Sequence, residues 1–141
     1  MSASTSDEAD GDRDAGIWDG KSVARRFVSP DGFTVLVGRT ARDNDILTFK
    51  IAAPQDTWLH VATGPGSHVV IRNPDRLTIP RETLQFAAAL AAGYSSGRDG
   101  GRTAVHVAPR SEVTKPRGYS PGKVALGRSR TVHATPSRDP G

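Results

Sequence analysis

The sequence predicts an α+β fold: a single domain in which a largely antiparallel sheet packs against one long buried helix and a shorter helix. Two observations lead to this prediction. Short β-rich segments bounded by glycine and proline turns occur before, between and after two helical segments, an order typical of antiparallel sheets with attached helices. The chain has 141 residues, enough for one domain of ordinary size.

Seven segments have the composition and the flanking turns of strands. They cover residues 25–29, 33–37, 57–61, 68–72, 103–108, 124–126 and 130–134. The first two flank Pro30-Asp31-Gly32, whose residue types favour a reversal of the chain. The last two flank Gly127-Arg128-Ser129, which predicts another hairpin near the C-terminus.

Two helices are predicted between these strands. Thr40 can cap a helix over residues 41–52, although alternating apolar residues in its second half are also compatible with a strand. Pro80 opens the longer helix, which runs to about Ser95. Because residues 86–92 are apolar on every side, we expect this helix to be enclosed by the fold.

Charge divides the chain into two unlike parts. The formal net charge is +4, yet residues 1–20 carry six acidic side chains and one arginine, whereas residues 21–141 carry 18 Lys or Arg and nine Asp or Glu. We expect a disordered acidic leader over residues 1–23, a folded domain over 24–135 and a disordered tail over 136–141. The basic body favours a polyanionic partner, above all nucleic acid, although charge can also serve solubility alone.

The composition also excludes several kinds of protein. Because cysteine is absent, there is no disulfide, thiolate zinc site or cysteine nucleophile. The longest apolar run has seven residues, from Phe86 to Ala92, and a bilayer span needs about 20. The polar, acidic N-terminus does not have the pattern of a signal peptide. We therefore expect a cytoplasmic protein with no membrane partner.

The first candidate site is the predicted hairpin over residues 57–72. Period-two geometry divides its side chains between a core face and a candidate surface. The core face holds Leu59, Val61, Val69 and Ile71, and the candidate surface holds Trp58, His60, His68, Val70 and Arg72. A register with Trp58 opposite Val70 places His60 opposite His68. Gly64 and Gly66 could expose amide hydrogens to an anion, with Ser67 as a further donor, although a plain hairpin loop explains the same residues.

The second candidate site is the basic loop, residues 115–123, with the sequence Lys115-Pro116-Arg117-Gly118-Tyr119-Ser120-Pro121-Gly122-Lys123. Its two prolines limit the conformations of the loop, and its cations can neutralise phosphates. Tyr119 offers a ring on which an exposed base could stack. A charged loop that contacts solvent alone is the alternative interpretation.

Catalytic and metal chemistry have little support in the sequence. The four histidines, His60, His68, His106 and His133, do not show a compact ligand spacing. The sequence also lacks the glycine-rich motifs of nucleotide hydrolases and dinucleotide enzymes. We expect no catalytic residue, no metal and no cofactor, and a small metal enzyme that uses His60 and His68 is the less favoured alternative.

A series of short motifs follows in a specific order along the chain. They are Leu36-Val37-Gly38-Arg39, Asn44-Asp45 with Leu47-Thr48, Trp58-Leu59-His60, Pro65-Gly66-Ser67-His68-Val69-Val70-Ile71, the helical segment from Pro80 to Ala92, Tyr94-Ser95, Lys115-Pro116-Arg117-Gly118 and Pro121-Gly122. Together they resemble the RNA-binding domain of the NFACT family, in its stand-alone bacterial form. The same domain is found in the C-terminal part of fibronectin-binding-protein-like factors of ribosome quality control.

This resemblance implies binding of structured RNA, with tRNA and large-subunit rRNA as candidate ligands and the 50S ribosomal subunit as a possible partner. It implies a role in translation or in ribosome-associated quality control. The implied RNA-binding residues come from both candidate sites. They are Trp58, His60, Pro65, Gly66, Ser67, His68, Arg72, Lys115, Arg117, Gly118, Tyr119 and Lys123.

Two positions depart from the family pattern. Thr63-Gly64 precedes the Pro-Gly-Ser-His motif, where the family usually has a Lys or Asp. In the family's Lys-Lys-Pro-Lys-Gly pattern, one Lys is Thr114 here and another is Arg117, which keeps the charge.

A protein-interaction adaptor that recognises acidic protein segments with its basic face is the alternative to an RNA-binding protein.

Overall fold

A six-stranded antiparallel sheet forms the centre of the computed structural model, which describes residues 11–140. In chain order the strands are β1 (Ile17–Trp18), β2 (Lys21–Ser22), β3 (Ala24–Val28), β4 (Thr34–Gly38), β5 (Thr57–Val61), β6 (Val69–Ile71), β7 (Thr103–Pro109), β8 (Val113–Thr114), β9 (Ala125–Leu126) and β10 (Arg130–Ala134). The large sheet has the order β10-β7-β5-β6-β4-β3, and all its neighbours are antiparallel. The predicted mixed α/β domain with a mostly antiparallel sheet is confirmed.

The helices are shorter than the sequence predicts. From residue 40 onwards they are α1 (Ala41–Ile46), a π-helical turn (Leu47–Ile51), α2 (Arg81–Gly93) and a 3-10 turn (Arg110–Glu112). The predicted long buried helix is not confirmed, because α2 has 13 residues and its first residues, Arg81 and Glu82, are exposed. No helix within residues 11–140 is long and apolar enough to cross a membrane.

The predicted helix over residues 41–52 begins as expected but widens halfway. The Thr40 side chain accepts a hydrogen bond from the Asp43 amide at 3.1 Å and so caps α1. In the following π-helical turn, the amide of Ala52 donates to the carbonyl of Leu47 at 2.9 Å. A π-helical turn changes the backbone pairing and is often found at functional sites.

The first core lies between α2 and one face of the sheet. Its members are Val35, Val37, Leu59, Val69, Ile71, Leu84, Ala87, Ala88, Leu90, Ala91, Ala92, Val105, Val107 and Ala134. Alanine is the commonest residue of the helix at this contact, so the backbone of α2 can approach the strands closely. The core role predicted for Leu59, Val69 and Ile71 is therefore correct.

The second face of the sheet, predicted to be a surface, is largely a second core. Trp58 and Val70 pack there against the π-helical turn and the small β8–β9 ladder. Trp58 lies opposite Val70 in the β5–β6 pair, as the predicted register requires. The prediction of an open face is wrong because residues 46–52 and 113–126 cover it, and such long-range packing leaves no mark in period-two patterning.

The two ends of the chain differ from the predicted disordered segments. Within the predicted leader, β1 and β2 form a hairpin, and Arg13 lies 5.8 Å from the centre of the Trp18 ring. Residues 1–10 and 141 of the predicted leader and tail lie outside the described residues. In the predicted tail, the Ser137 amide donates to the carbonyl of Ala89 in α2 at 3.1 Å.

The last two predicted strands exist but do not form the hairpin that the sequence suggests. β9 pairs with β8, whereas β10 pairs with β7 at the edge of the large sheet. The turn between them is attached to Glu112, whose carbonyl accepts from the Gly127 amide at 2.8 Å and whose carboxylate accepts from the Arg128 amide at 2.7 Å. Pairing of β9 with β8 and of β10 with β7 therefore replaces the predicted hairpin between β9 and β10.

Candidate functional site

The buried side chain of His68 joins the two loops that the sequence singles out. Its Nε2–H donates to the carbonyl of Gly122 in the basic loop at 2.9 Å, and its Nδ1 accepts from the Thr48 hydroxyl at 2.8 Å. This tautomer follows because a carbonyl oxygen can only accept a hydrogen bond. Burial lowers the pKa of His68 to about 4, so the ring is neutral at physiological pH. His68 therefore holds the basic loop in position through its bond to Gly122.

Helix α1 supplies two further side chains that position the loops. The Asn44 carboxamide accepts from the His68 amide at 3.1 Å and donates to the carbonyl of Gly66 at 3.4 Å. The Asp45 carboxylate accepts from the Gly122 amide at 3.2 Å. Neither residue was among the site residues predicted from the sequence. The only signal for them was their place in the family-like series of motifs.

Gly38 makes room for this arrangement at the end of β4. A Cβ atom at this position would lie 1.9 Å from Oδ1 of Asn44, the same oxygen that accepts from the His68 amide. Any larger residue at position 38 would therefore displace Asn44 from the loop. The glycine belongs to the construction of the site although it contacts no ligand.

Lys115, which the resemblance implies as an RNA-binding residue, closes the basic loop. Its ammonium group lies 3.1 Å from the Asp45 carboxylate and donates to the carbonyls of Ser120 at 2.5 Å and Lys123 at 2.6 Å. An ammonium group has three hydrogens, and these three contacts use all of them. In the structure, Lys115 therefore supports the loop by joining Asp45 to two of its carbonyls.

The remaining polar side chains of the basic loop face solvent. Arg117 and Lys123 are exposed, and Lys123 Nζ lies 4.9 Å from the centre of the Tyr119 ring, which is 38% exposed. Gly118 has a φ of +86° in a turn closed by a hydrogen bond from the Tyr119 amide to the carbonyl of Pro116 at 3.2 Å. This geometry turns Arg117 and Tyr119 outwards.

Arg42, a cation that the sequence did not single out, lies in the first turn of α1, next to the residue on which the basic loop packs. Gly122 packs on the first turn of α1, where an added Cβ would lie 3.2 Å from the Cβ of Ala41. The exposed side chain of Arg42 follows directly. Among residues 11–140, no carboxylate lies within 4 Å of the charged groups of Arg42, Arg117 or Lys123. We define the basic face as Arg42, Arg117, Tyr119 and Lys123.

The loop over residues 62–67 lies next to the basic loop, but much of its hydrogen-bonding capacity is already used. The Ser67 amide donates to the carbonyl of Tyr94 at 3.1 Å, and the carbonyl of Pro65 accepts from the Ser96 amide at 3.0 Å. The His68 amide is also bonded, to Asn44, so the two amides that follow Gly66, the second glycine of the predicted anion-binding concavity, are occupied. Pro65 is exposed, whereas Gly66 and Ser67 are half-buried at the rim.

Trp58 and His60 lie beneath this rim in an aromatic cluster with His68. The Trp58 ring stacks on His60 with centroids 5.9 Å apart and meets the edge of His68 at 5.2 Å. Trp58 is 2% exposed and offers no open ring face to a base. His60 is half-buried, its Nδ1 bonds the carbonyl of Val61 at 2.7 Å, and burial lowers its pKa.

Arg72 is the predicted site residue that the structure separates from the others. It lies at the opposite end of β6 from His68 and is 8% exposed. Its guanidinium group contacts the Asp56 carboxylate at 2.7 Å, the Asp14 carboxylate at 3.1 Å and the carbonyl of Ile51 at 2.9 Å. These contacts make it a buried connection between the sheet and its surroundings.

The histidines do not assemble a metal centre in the part of the chain that the structure describes. Residues 11–140 contain no group of three or more His, Cys, Asp or Glu side chains placed to hold a metal ion. Both ring nitrogens of His68 are engaged by Thr48 and Gly122, so neither is available as a ligand. The geometry thus gives no support to a metal enzyme built on His60 and His68.

Fold and site together define a class of α+β binding domains in which an exposed basic loop is fixed beside a Pro-Gly-Ser-His loop at one end of an antiparallel sheet. Residues 24–127 match the family model described as the NFACT protein RNA binding domain. The chain belongs to this family.

Two groups of relatives are similar to this chain. The Rqc2 homolog RqcH of Bacillus subtilis is 40% identical over 119 residues, which cover 83% of this chain and 20% of that protein. The ribosome quality control complex subunit NEMF homolog of Drosophila melanogaster is 33% identical over 73 residues, or 52% of this chain and 7% of the relative. The chain therefore spans at most about a fifth of the length of these relatives.

A solved structure has the same fold. It is the C-terminal part of the fibronectin/fibrinogen-binding protein from Streptococcus suis, with a TM-score of 0.77 and 36% sequence identity. The match covers 83% of this chain and 47% of that chain.

Proposed function

We propose that this domain binds structured RNA through the basic face, in a role connected with the ribosome and its quality control. One observation supports this most directly. The exposed cations of the basic loop have no carboxylate partner among the described residues, while buried contacts from His68 and Asp45 hold the loop in place. A preformed loop loses little conformational entropy when it binds.

Each member of the basic face has a separate part in this proposal. The guanidinium groups of Arg42 and Arg117 suit phosphate oxygens, which they can bind with two parallel hydrogen bonds. Lys123 adds a point charge and lies close to the Tyr119 ring. That ring is exposed enough to stack on an unpaired base. Pro65 and Ser67 form the adjacent rim.

The proposed ligands are tRNA, large-subunit rRNA or both, and the proposed setting is the 50S subunit in the cytoplasm. Support comes from the family of this chain and from relatives that are named as ribosome quality control proteins. We propose binding without catalysis, because His68 and Lys115 use their polar groups to hold the fold. Tail synthesis is not part of the proposal.

The test replaces two exposed cations of the basic loop, Arg117→Ala and Lys123→Ala, in one chain. Affinity for tRNA and for large-subunit rRNA is measured by filter binding or fluorescence anisotropy over a range of salt concentrations. We expect the affinity to fall about fivefold or more at low salt, since each lost phosphate contact reduces the slope of log affinity against log salt by roughly 0.7 to 0.9.

A matched control removes the same charge from the far end of the sheet. Arg81→Ala and Arg130→Ala replace two exposed arginines: Arg130 lines a cleft together with Thr57 and Ile79, and Arg81 is the first residue of α2, two positions after Ile79. This control variant should bind RNA with nearly the wild-type salt slope. Equal losses in both variants would mean that charge alone drives binding, and undiminished affinity in the loop variant would refute the proposed surface.

A further inference from the structure

A second group of cations lies on the other side of the 62–67 loop, around the side chain of Tyr94. The guanidinium carbon of Arg25, in β3, lies 5.2 Å from the centre of the Tyr94 ring. The guanidinium carbon of Arg138, near the C-terminus, lies 4.6 Å from the same ring centre. We define these three residues as the arginine–tyrosine cluster.

The C-terminal segment is held on α2 in a way that brings Arg138 to this ring. The Ser137 amide donates to the carbonyl of Ala89 at 3.1 Å, and Arg138 Nε donates to the carbonyl of Gly93 at 2.9 Å. A Cβ atom on Gly93 would lie 2.3 Å from the carbonyl oxygen of Ser137. The last turn of α2 therefore accommodates this segment because residue 93 is a glycine.

The cluster brings two positive charges to one aromatic ring without a compensating carboxylate. Within residues 11–140, no Asp or Glu oxygen lies within 4 Å of the guanidinium groups of Arg25 or Arg138. The ring stabilises each cation, but the two cations repel each other. An anion placed beside both would relieve that repulsion, and guanidinium groups are well suited to phosphate oxygens.

The cluster is continuous with the candidate site through the backbone. The carbonyl of Tyr94 accepts from the Ser67 amide at 3.1 Å, and Ser95 forms an isolated β-bridge with Gly66. The 62–67 loop thus contacts the basic loop through Asn44 and His68 on one side and the end of α2 on the other. One ligand that crosses this loop can contact both surfaces.

We propose that the arginine–tyrosine cluster is a second phosphate-binding surface, which contacts the backbone of the same RNA that the basic face binds. The inference rests on the proposed function, and it extends the interface across the 62–67 loop. Arg25 and Arg138 each contact a phosphate, and Tyr94 holds their side chains in position. RNA of sufficient length therefore contacts two separate groups of cations.

The experiment compares variants with equal charge. Arg25→Gln with Arg138→Gln removes the proposed contacts, and Arg81→Gln with Arg130→Gln removes two exposed arginines elsewhere. Affinity for a tRNA is measured against salt concentration for both and for wild type. The first variant should bind about fivefold or more weakly and have a smaller salt slope, whereas the second should stay close to wild type.

A third, single variant guards against an effect on folding. Arg138 is exposed, lies outside the sheet, and bonds the carbonyl of Gly93 through Nε, a donor position that glutamine also has, so Arg138→Gln should keep the wild-type melting temperature while it loses part of the affinity. If the arginine–tyrosine variants bind RNA like the Arg81 and Arg130 control while the Arg117 and Lys123 variant is impaired, the inference is wrong and the proposed function stands. If wild type itself does not bind RNA, the proposed function fails and this inference with it.

Discussion

Acidification should weaken this domain through His68, the side chain that holds the basic loop. Burial lowers its pKa from the ordinary 6.5 to about 4. His60, Asp45 and Lys115 are the charged or titratable groups that act on it most, besides the carbonyl of Gly122. Because the unfolded chain takes up the proton at a higher pH than the folded chain, protonation favours unfolding.

The sign and the size of the effect follow from that pKa. The contribution of His68 to the free energy of unfolding is at its full value above pH 6.5 and declines as the pH falls from 6.5 to about 4. Linkage gives a loss of about 2 kcal/mol between pH 7.5 and pH 5, and roughly 3 kcal/mol when the decline is complete. Such a loss is a large part of the stability of a small domain.

Urea unfolding, followed by circular dichroism at several pH values, measures this loss in wild type and in His68→Gln. The variant is less stable at pH 7.5, because it loses the bonds of the ring to Thr48 and Gly122. The difference between the two proteins should shrink by about 2 kcal/mol at pH 5, since the variant has no imidazole to protonate. Parallel curves across this range would show that His68 is not held neutral by the fold.

Two further predictions concern cations that the structure assigns to support. Lys115→Met should weaken RNA binding, because the basic loop loses the ammonium group that joins its carbonyls to Asp45. The salt slope of binding should stay near the wild-type value, whereas Arg117→Ala should reduce it. An equally reduced slope in both variants would mean that Lys115 itself contacts phosphate. Asp56→Asn leaves the buried Arg72 without its nearer carboxylate at 2.7 Å, so urea unfolding should show a loss of about 3 to 5 kcal/mol, and a loss below about 1 kcal/mol would contradict a buried ion pair.

Much of the fold was predictable because it depends on local patterns. The turn Pro30-Asp31-Gly32, the Thr40 cap and the alternation in β5 and β6 act over a few residues, and each appears in the structure close to its predicted place. The predicted hairpin around residues 127–129 does not form, because the carbonyl and the carboxylate of Glu112 accept hydrogen bonds from the amides of this turn. The prediction that the second face of the sheet is open was wrong, because segments distant in sequence cover Trp58 and Val70.

The site was predictable as a set of loops, but not as a set of roles. Composition locates the basic loop and the Pro-Gly-Ser-His motif, since prolines, glycines and cations mark both. It cannot show that His68 bonds a carbonyl 54 residues further along the chain, or that Asn44 bonds the backbone of Gly66. Those contacts depend on how α1 crosses the end of the sheet, and no local pattern encodes that crossing.

A count of basic residues overstates the charge that this domain can offer to RNA. Arg72 and Lys115 contact carboxylates, and the side chain of Arg110 donates to the carbonyl of Thr48 over the Phe49 ring. To bind a phosphate, these side chains would have to break their contacts within the domain, and that would lower the stability of the fold. The salt dependence of RNA binding should therefore reflect the exposed arginines and lysines of the basic face and of the arginine–tyrosine cluster, and its slope measures how many of them contact phosphate at once.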